Sequence, residues 1–173
     1  MKNRYLKDLY EVRFSEDSIL KYIKNKKVKD IKLIEITLRE SESYQNAIKL
    51  VEYFPKIKFG LGSILKLETY NAIDKQKFNF FVSPSTIKEI VIKKPINYIP
   101  GAETISEFNY LYNLGYRVIK FFPATLNDGC KKLKAIETIY KDLYFIPTGG
   151  ISRKNMNDFL DLSNVICVGM TKV

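Results

Sequence analysis

Short runs rich in Ile, Val and Phe recur about every 20 residues along the chain. Near-continuous apolar runs of this length are typical of parallel strands that are covered on both faces. The pattern predicts eight strands, namely Tyr10–Phe14, Ile31–Leu38, Ile57–Leu61, Phe78–Val82, Ile96–Ile99, Val118–Phe122, Tyr144–Pro147 and Val165–Val168.

The segments between these runs have the periodicity of amphipathic helices, with apolar residues three and four positions apart. Thr86-x-x-Glu89 and Thr104-x-x-Glu107 have the form of capping boxes, which satisfy free N–H groups at a helix start. Gly115 stands where the C-terminal cap of a helix is expected. The signals therefore predict a helix after nearly every strand.

Regular alternation of strands and helices predicts a parallel α/β fold. Eight repeats favour a closed (β/α)8 TIM barrel over an open doubly wound sheet, and we expect one compact domain over residues 1–173. Polar and glycine residues follow the strands, at the rim where barrel enzymes hold their sites. The sequence ends five residues after the last predicted strand, so we expect the final helix to be missing.

The amino-acid composition excludes several kinds of catalytic and metal site. The chain has 46% apolar and 28% charged residues, which is typical of a globular protein, and it has no histidine. Without histidine, Ser-His-Asp and Cys-His triads and histidine-ligated zinc are excluded. No apolar run has the length of a membrane span, and the amino terminus lacks the apolar core expected of a signal peptide. Because only Cys130 and Cys167 are present, we expect a reducing cytoplasm.

The formal charge is +10, from 29 basic and 19 acidic residues. Such an excess can indicate a nucleic-acid binder. Here the lysines are scattered over nearly every predicted helix and are not interleaved with glycine and aromatic residues. We therefore interpret the charge as a solvated basic surface and expect neither a nucleic-acid nor a membrane partner.

Two predicted strands carry ionisable residues where apolar ones are expected. Side chains alternate along a strand, so Glu35, Thr37 and Arg39 share one face of the second strand. Lys120 lies among bulky apolar residues in the sixth strand. An isolated charge there would be costly, so it must pair or lose its proton. In an eight-stranded ring these strands lie on opposite sides, so Glu35 and Lys120 can meet inside it.

Two interpretations of this pair remain open. The first is a structural ion pair. The second is catalysis, because a desolvated lysine amine can attack a ketone and form a Schiff base. The iminium accepts electrons while a carbon–carbon bond breaks, and a nearby carboxylate moves the protons. Such chemistry requires no metal and no other cofactor, so none is expected.

A glycine-rich turn, Pro147-Thr-Gly-Gly150, follows the seventh strand, and Gly169-Met-Thr171 follows the eighth. Adjacent glycines expose backbone N–H groups, and barrels commonly hold a phosphate at this place. An ordinary strand-to-helix turn would have the same sequence character. The position in the seventh loop favours the phosphate interpretation.

Six short motifs occur in the order and spacing of one known family. They are Glu35-Ile-Thr-Leu-Arg39, Gly60-Leu-Gly-Ser63-Ile-Leu65, Ser83-Pro84, Ile99-Pro-Gly101, Lys120-Phe-Phe-Pro-Ala124 and Pro147-Thr-Gly-Gly-Ile151. From about Tyr10 to Thr171 the chain resembles the KDPG/KHG aldolases. The resemblance implies a class I (β/α)8 lyase that acts on 2-keto-3-deoxy-6-phosphogluconate (KDPG) or 4-hydroxy-2-oxoglutarate (KHG).

The resemblance also implies roles for individual residues. Lys120 would form the Schiff base, and Glu35 would be the general acid and base. The residues implied at the pyruvyl end of a keto-acid substrate are Arg39, Ser63, Pro84 and Phe122, with Arg13 also facing the substrate. Those implied at the distal phosphate are Thr148, Gly149, Gly150 and Thr171. The family assembles as trimers, so a homotrimer is implied.

The chain departs from the family pattern in places. Ser63 replaces threonine and keeps the hydroxyl, whereas Ser85 and Met170 replace glycines. We expect Met170 to narrow the approach to the phosphate loop, which favours KHG cleavage, to pyruvate and glyoxylate, as the alternative to KDPG cleavage. A decayed barrel that only binds a phosphorylated or keto-acid ligand is a further alternative, suggested by the missing helix and opposed by the intact Glu35 and Lys120.

Overall fold

The computed structural model describes the backbone of residues 8–12 and the whole of residues 33–170. Its strands are β1 (Asp8–Val12), β2 (Leu33–Thr37), β3 (Lys58–Gly62), β4 (Phe80–Val82), β5 (Tyr98–Ile99), β6 (Gly101–Ala102), β7 (Val118–Phe121), β8 (Tyr144–Pro147) and β9 (Val168–Met170). Its helices are α1 (Ser43–Tyr53), α2 (Leu67–Ala72), α3 (Lys88–Val91), α4 (Ile105–Asn113), α5 (Gly129–Ile136) and α6 (Met156–Leu160).

All strand pairs are parallel and form two sheets, with orders β5-β4-β3-β2-β1-β9 and β6-β7-β8. The sheets are joined at one side by Pro100, which separates β5 from β6, and at the other by isolated parallel bridges from Phe145 to Val165 and from Thr148 to Gly169. The strands thus follow one another in chain order and return to β1. This is the predicted barrel arrangement, although its hydrogen-bonded ladder is not continuous.

Most strand boundaries differ from the sequence prediction by one to three residues, and two of these differences have a physical cause. The fifth predicted strand, Ile96–Ile99, corresponds to β5, and a further short strand, β6, follows Pro100, which has no N–H group to donate to the ladder. The last predicted strand, Val165–Val168, begins three residues and ends two residues too early, since β9 spans Val168–Met170. Gly169, predicted to follow the last strand, lies inside β9, where its missing side chain leaves room for Thr148.

The observed ends of the helices can be compared with the capping motifs predicted from the sequence. The Thr104–Glu107 capping box is confirmed, with side chain to backbone bonds in both directions at the start of α4. Gly115 has a φ of 95° and ends the same helix as predicted. The Thr86 capping box is wrong, because α3 begins later and the Thr86 hydroxyl donates to the Gly101 carbonyl at 2.9 Å.

The larger part of the core packs helices against the strands, with Phe108, Phe121 and Phe145 in mutual aromatic contact. A smaller apolar cluster contains Phe80, Val82, Ile146 and Cys167. Ile146 pairs in register with Lys120, so this cluster shares the inner face of the strands with that lysine. None of the helices in the described part of the chain is long and apolar enough to cross a bilayer.

Candidate active site

Lys120 and Glu35 meet inside the ring of strands. Lys120 projects from β7 and is 2% exposed, and Glu35 projects from β2 and is fully buried. The Lys120 Nζ lies 3.0 Å from Glu35 Oε1 and 3.4 Å from Oε2. The contact predicted between these strands is confirmed, although the two residues are 85 positions apart in the chain.

Glycines on β3 make the space for this pair. The Glu35 carboxylate lies directly over Gly62, where an added Cβ would overlap Oε1. Two residues earlier, the space beside Gly60 is occupied by the ring of Phe80. Neither glycine is among the predicted site residues, although two glycines at alternate positions of a strand signal a close approach of other groups.

Burial and pairing act in opposite directions on the two charges. Removal from water disfavours both the ammonium of Lys120 and the carboxylate of Glu35, whereas each charge stabilises the other. Because the two groups are in hydrogen-bond contact, moving one proton from Nζ to the carboxylate converts the ion pair into a neutral amine and a neutral acid. The pair can therefore supply an uncharged amine, which is the nucleophilic form.

Phe122 forms one side of this pocket. Its ring centroid lies 5.7 Å from the Lys120 Nζ, and the ring also borders Gly149, where an added Cβ would be 3.0 Å from Cε2. The half-buried Phe122 therefore connects the lysine to the glycine-rich turn after β8. Two regions that the sequence analysis described separately are neighbours in space.

Arg39 and Ser63 meet at the carboxyl ends of β2 and β3. The Arg39 Nε donates a hydrogen bond to Ser63 Oγ at 3.0 Å. Ser63 has a φ of 59°, a conformation that points the chain away from the strand direction. The guanidinium is exposed and forms no ion pair with any carboxylate in residues 33–170. Its charge is therefore available to an anionic ligand.

Pro84 is placed by a close backbone contact. Its carbonyl group lies so near Gly101 that an added Cβ would overlap it, and Gly101 pairs in register with Lys120. The preceding Ser83 is fully buried and shares a short hydrogen bond with the hydroxyl of Tyr98, whose pKa burial raises above its ordinary value. Tyr98 is not among the predicted site residues, because a contact between two strands leaves no local signal in the sequence.

The turn after β8 has the conformation that only glycine adopts easily. Gly149 and Gly150 have φ values of 96° and 77°. Thr148 is fully buried and lies against Gly169, while the Thr125 side chain covers Gly150. Within the described residues, the Gly149 and Gly150 N–H groups have no protein acceptor.

Other predicted residues are placed differently or lie beyond the description. The expectation that Met170 narrows the phosphate approach is wrong, because Met170 is 3% exposed and packs in the core between strands and helices. Alternation along β9 turns Gly169, not Met170, toward Thr148. Arg13 and Thr171 lie outside the described residues. The described residues contain no group of three or more acidic or cysteine side chains suited to a metal ion.

Comparison with known proteins gives consistent matches. A family model described as "Aldolase: KDPG and KHG aldolase" matches residues 11–173. A Pseudomonas aeruginosa protein named 2-dehydro-3-deoxy-phosphogluconate aldolase is 36% identical over 141 residues, which are 80% of this chain and 64% of that protein. An Escherichia coli K12 protein named KHG/KDPG aldolase is 33% identical over 143 residues, covering 80% of this chain and 67% of the relative.

Solved structures extend the match to the fold. The crystal structure of a Legionella pneumophila KDPG aldolase, with pyruvate captured as a covalent carbinolamine intermediate, superposes with a TM-score of 0.88 and 29% identity. That match covers 97% of this chain and 84% of the Legionella chain. The fold is thus the α/β barrel of these proteins, and the aligned part of this chain spans just under two thirds of the Pseudomonas relative.

Proposed function

The chain belongs to the KDPG and KHG aldolase family, and from this premise we propose that it is a class I aldolase that cleaves KDPG to pyruvate and glyceraldehyde 3-phosphate. The observation that supports this most strongly is the buried contact of 3.0 Å between the Lys120 Nζ and Glu35. The Pseudomonas relative bears the name of this activity.

The reaction begins with the neutral amine. After one proton has passed from Nζ to Glu35, the Lys120 nitrogen attacks the C2 carbonyl carbon of the keto acid, and Glu35 gives that proton to the carbonyl oxygen. The nitrogen then passes a second proton to Glu35, which leaves a neutral carbinolamine. Glu35 protonates the departing hydroxyl, water leaves, and a C2 iminium remains on the lysine. The contact geometry allows one carboxyl group to carry both protons.

Cleavage follows from the positive charge of the iminium. The Glu35 carboxylate accepts the proton of the C4 hydroxyl, the C3–C4 bond breaks, and its electron pair moves toward C2 and neutralises the iminium nitrogen. The C4 fragment leaves as an aldehyde, and C3 becomes part of an enamine. Glu35 then returns the proton to C3, and water hydrolyses the new iminium to release pyruvate and the free lysine.

The surrounding residues would bind the two ends of the substrate. The Arg39 guanidinium, which has no carboxylate partner among the described residues and is oriented by Ser63, would hold the keto-acid carboxylate. Pro84 and Phe122 would enclose the pyruvyl carbons, with Arg13 facing the substrate. Thr148, Gly149, Gly150 and Thr171 would hold the distal phosphate, supported by the free Gly149 and Gly150 N–H groups in the described part of the chain.

Cleavage of KHG is the second candidate function, and the Escherichia coli relative is named for both substrates. Met170 gives KHG no advantage over KDPG, because its side chain is buried in the core and turned away from Thr148. The free N–H groups of the glycine turn favour the phosphorylated substrate. The third alternative, a barrel that only binds its ligand, predicts no turnover of either keto acid.

We further propose a cytoplasmic homotrimer. Large apolar side chains such as Leu65, at 67% exposure, and Leu126, at 58%, provide surface that a second copy could cover. Cys130 and Cys167 are not paired with each other, as in a protein of a reducing compartment. Sedimentation velocity should give a single species of three subunits, and a monomer would contradict this assignment.

A coupled assay tests the proposed function. Pyruvate release is followed with lactate dehydrogenase and NADH, and KDPG and KHG are supplied in turn. We expect turnover with KDPG as the better substrate, none with Lys120→Met, and wild-type rates with Lys88→Met, which removes an exposed lysine of α3. Absence of turnover with both substrates would contradict the proposal.

A further inference from the structure

Thr37 is a buried polar residue for which the proposed mechanism has no use. It ends β2 on the same face as Glu35 and is 6% exposed. Among the described residues, no group forms a hydrogen bond with its hydroxyl. A buried hydroxyl without a protein partner is costly unless another molecule satisfies it.

The register of the strands places Thr37 at the height of the reacting groups. Thr37 pairs with Gly62, and paired strands lie about 4.8 Å apart. The Glu35 carboxylate lies over that same Gly62, and the Lys120 Nζ is 3.0 Å from its Oε1. Thr37 is therefore beside the nitrogen on which the substrate would be held, and not in a distant layer of the barrel.

The Thr37 hydroxyl also borders open space. Its oxygen is not among the fully enclosed side-chain atoms without a partner, and Asn164 Oδ1 is the only such atom in the described residues. Two residues further along the chain, Arg39 presents a positive charge at the carboxyl ends of β2 and β3, where it contacts Ser63. A small anion that contacts both Lys120 and Arg39 would therefore also lie near the Thr37 hydroxyl.

We propose that Thr37 is a substrate-binding residue whose hydroxyl donates a hydrogen bond to the C1 carboxylate of the keto acid held on Lys120. This inference rests on the proposed function. It adds Thr37 to the residues that bind the C1 carboxylate, a group that KDPG, KHG and pyruvate share. Arg39 supplies the charge for that carboxylate, and Thr37 fixes its position beside C2. A neutral ester keeps a carbonyl acceptor at this place but lacks the negative charge, so it gains less from the hydroxyl.

Reductive trapping measures this contact directly. The protein is incubated with increasing pyruvate or methyl pyruvate, its neutral ester, and the imine is reduced with borohydride and quantified by mass spectrometry. The variant Thr37→Val removes the hydroxyl and keeps the shape, and Thr37→Ser keeps the hydroxyl. Hydrogen bonds to charged groups contribute about 1.5–3 kcal/mol, so the half-saturating pyruvate concentration should rise by about tenfold or more in Thr37→Val.

The controls separate binding from a structural effect. We expect Thr37→Ser to be trapped like the wild type. In Thr37→Val, the half-saturating concentration should rise clearly less with methyl pyruvate than with pyruvate. An equal loss with both compounds, an unchanged pyruvate curve in Thr37→Val, or a loss in Thr37→Ser as large as in Thr37→Val would overturn the Thr37 assignment alone. Failure of the wild type to be trapped by pyruvate would overturn the proposed function, and this inference with it.

Discussion

The Glu35 carboxylate lies on Gly62, so closely that any side chain at position 62 would overlap its Oε1 atom. The position of the acidic group that faces Lys120 thus depends on a missing side chain on the neighbouring strand. In a packed interior, the removal of such a space forces neighbouring groups to move. The geometry of the pair can therefore be disturbed without changing either of its members.

The variant Gly62→Ala tests this dependence. The added methyl group would displace the carboxylate from the Lys120 Nζ, and a misplacement of about 1 Å can reduce a rate by about 100-fold. We expect turnover in the coupled assay to fall by about that factor, with a stability loss of about 1–3 kcal/mol from overpacking. The matched control is Gly60→Ala on the same strand, whose methyl group would displace Phe80 instead. Equal turnover losses in the two variants would contradict the argument.

The variant Glu35→Gln separates imine formation from proton transfer. Glutamine keeps the shape of the side chain but cannot accept a proton, so turnover should fall by about 100- to 10,000-fold. Trapping of pyruvate by borohydride should persist at longer incubation, because the lysine is still present. The exposed Glu40, changed to Gln, is the control and should leave the rate unchanged. Full turnover in Glu35→Gln would assign the base to another group.

Glu103 provides a prediction about acid stability. A hydrogen bond from Lys132, at 2.9 Å, and a second one from Asn127 lower the pKa of Glu103 below its ordinary value of 4.5. Because the pKa is lower in the folded state, the ionised form stabilises the fold above pH 4.5, and this contribution is lost as the pH falls through the folded pKa.

The melting temperatures of the wild type and Glu103→Gln should therefore differ at pH 7 and converge at about pH 3. The pair is partly exposed, so its contribution should be no more than about 1 kcal/mol. Glu89→Gln, at an exposed glutamate of α3 with no ion pair in the described residues, is the control and should track the wild type. A melting-temperature difference that grows as the pH falls would contradict the predicted direction of the effect.

Most of the fold can be predicted from the sequence, because the signals for strands and helix ends lie within a few neighbouring residues. The capping box at Thr104 and the glycine at position 115 are read within a few residues, and both are confirmed. The last strand is predicted too early because Val165–Val168 is uniformly apolar. It lacks the alternation of apolar and polar residues that would mark where the strand begins and ends. The inner or outer orientation of Met170 depends on that boundary, so its predicted role failed with it.

The candidate site can be predicted from the sequence where an ionisable residue lies in a segment that is expected to be buried. Lys120 and Glu35 stand out because ionisable groups inside apolar strands require a partner. The hydrogen bond between Ser83 and Tyr98 could not be found in this way, since hydroxyl groups occur freely in strands and the two residues belong to different strands. The overlap of Gly62 with Glu35 likewise depends on strand register, which no motif specifies.

Reductive trapping with pyruvate, followed by mapping of the modified peptide, tests the central claim most directly. Borohydride should convert the imine into a stable secondary amine on the Lys120 side chain, while Lys132, whose Nζ is 2.9 Å from Glu103, should remain unmodified. EDTA should not reduce the yield. An adduct confined to Lys120 is the result we predict, and an unmodified protein, or an adduct on another lysine, would contradict the account.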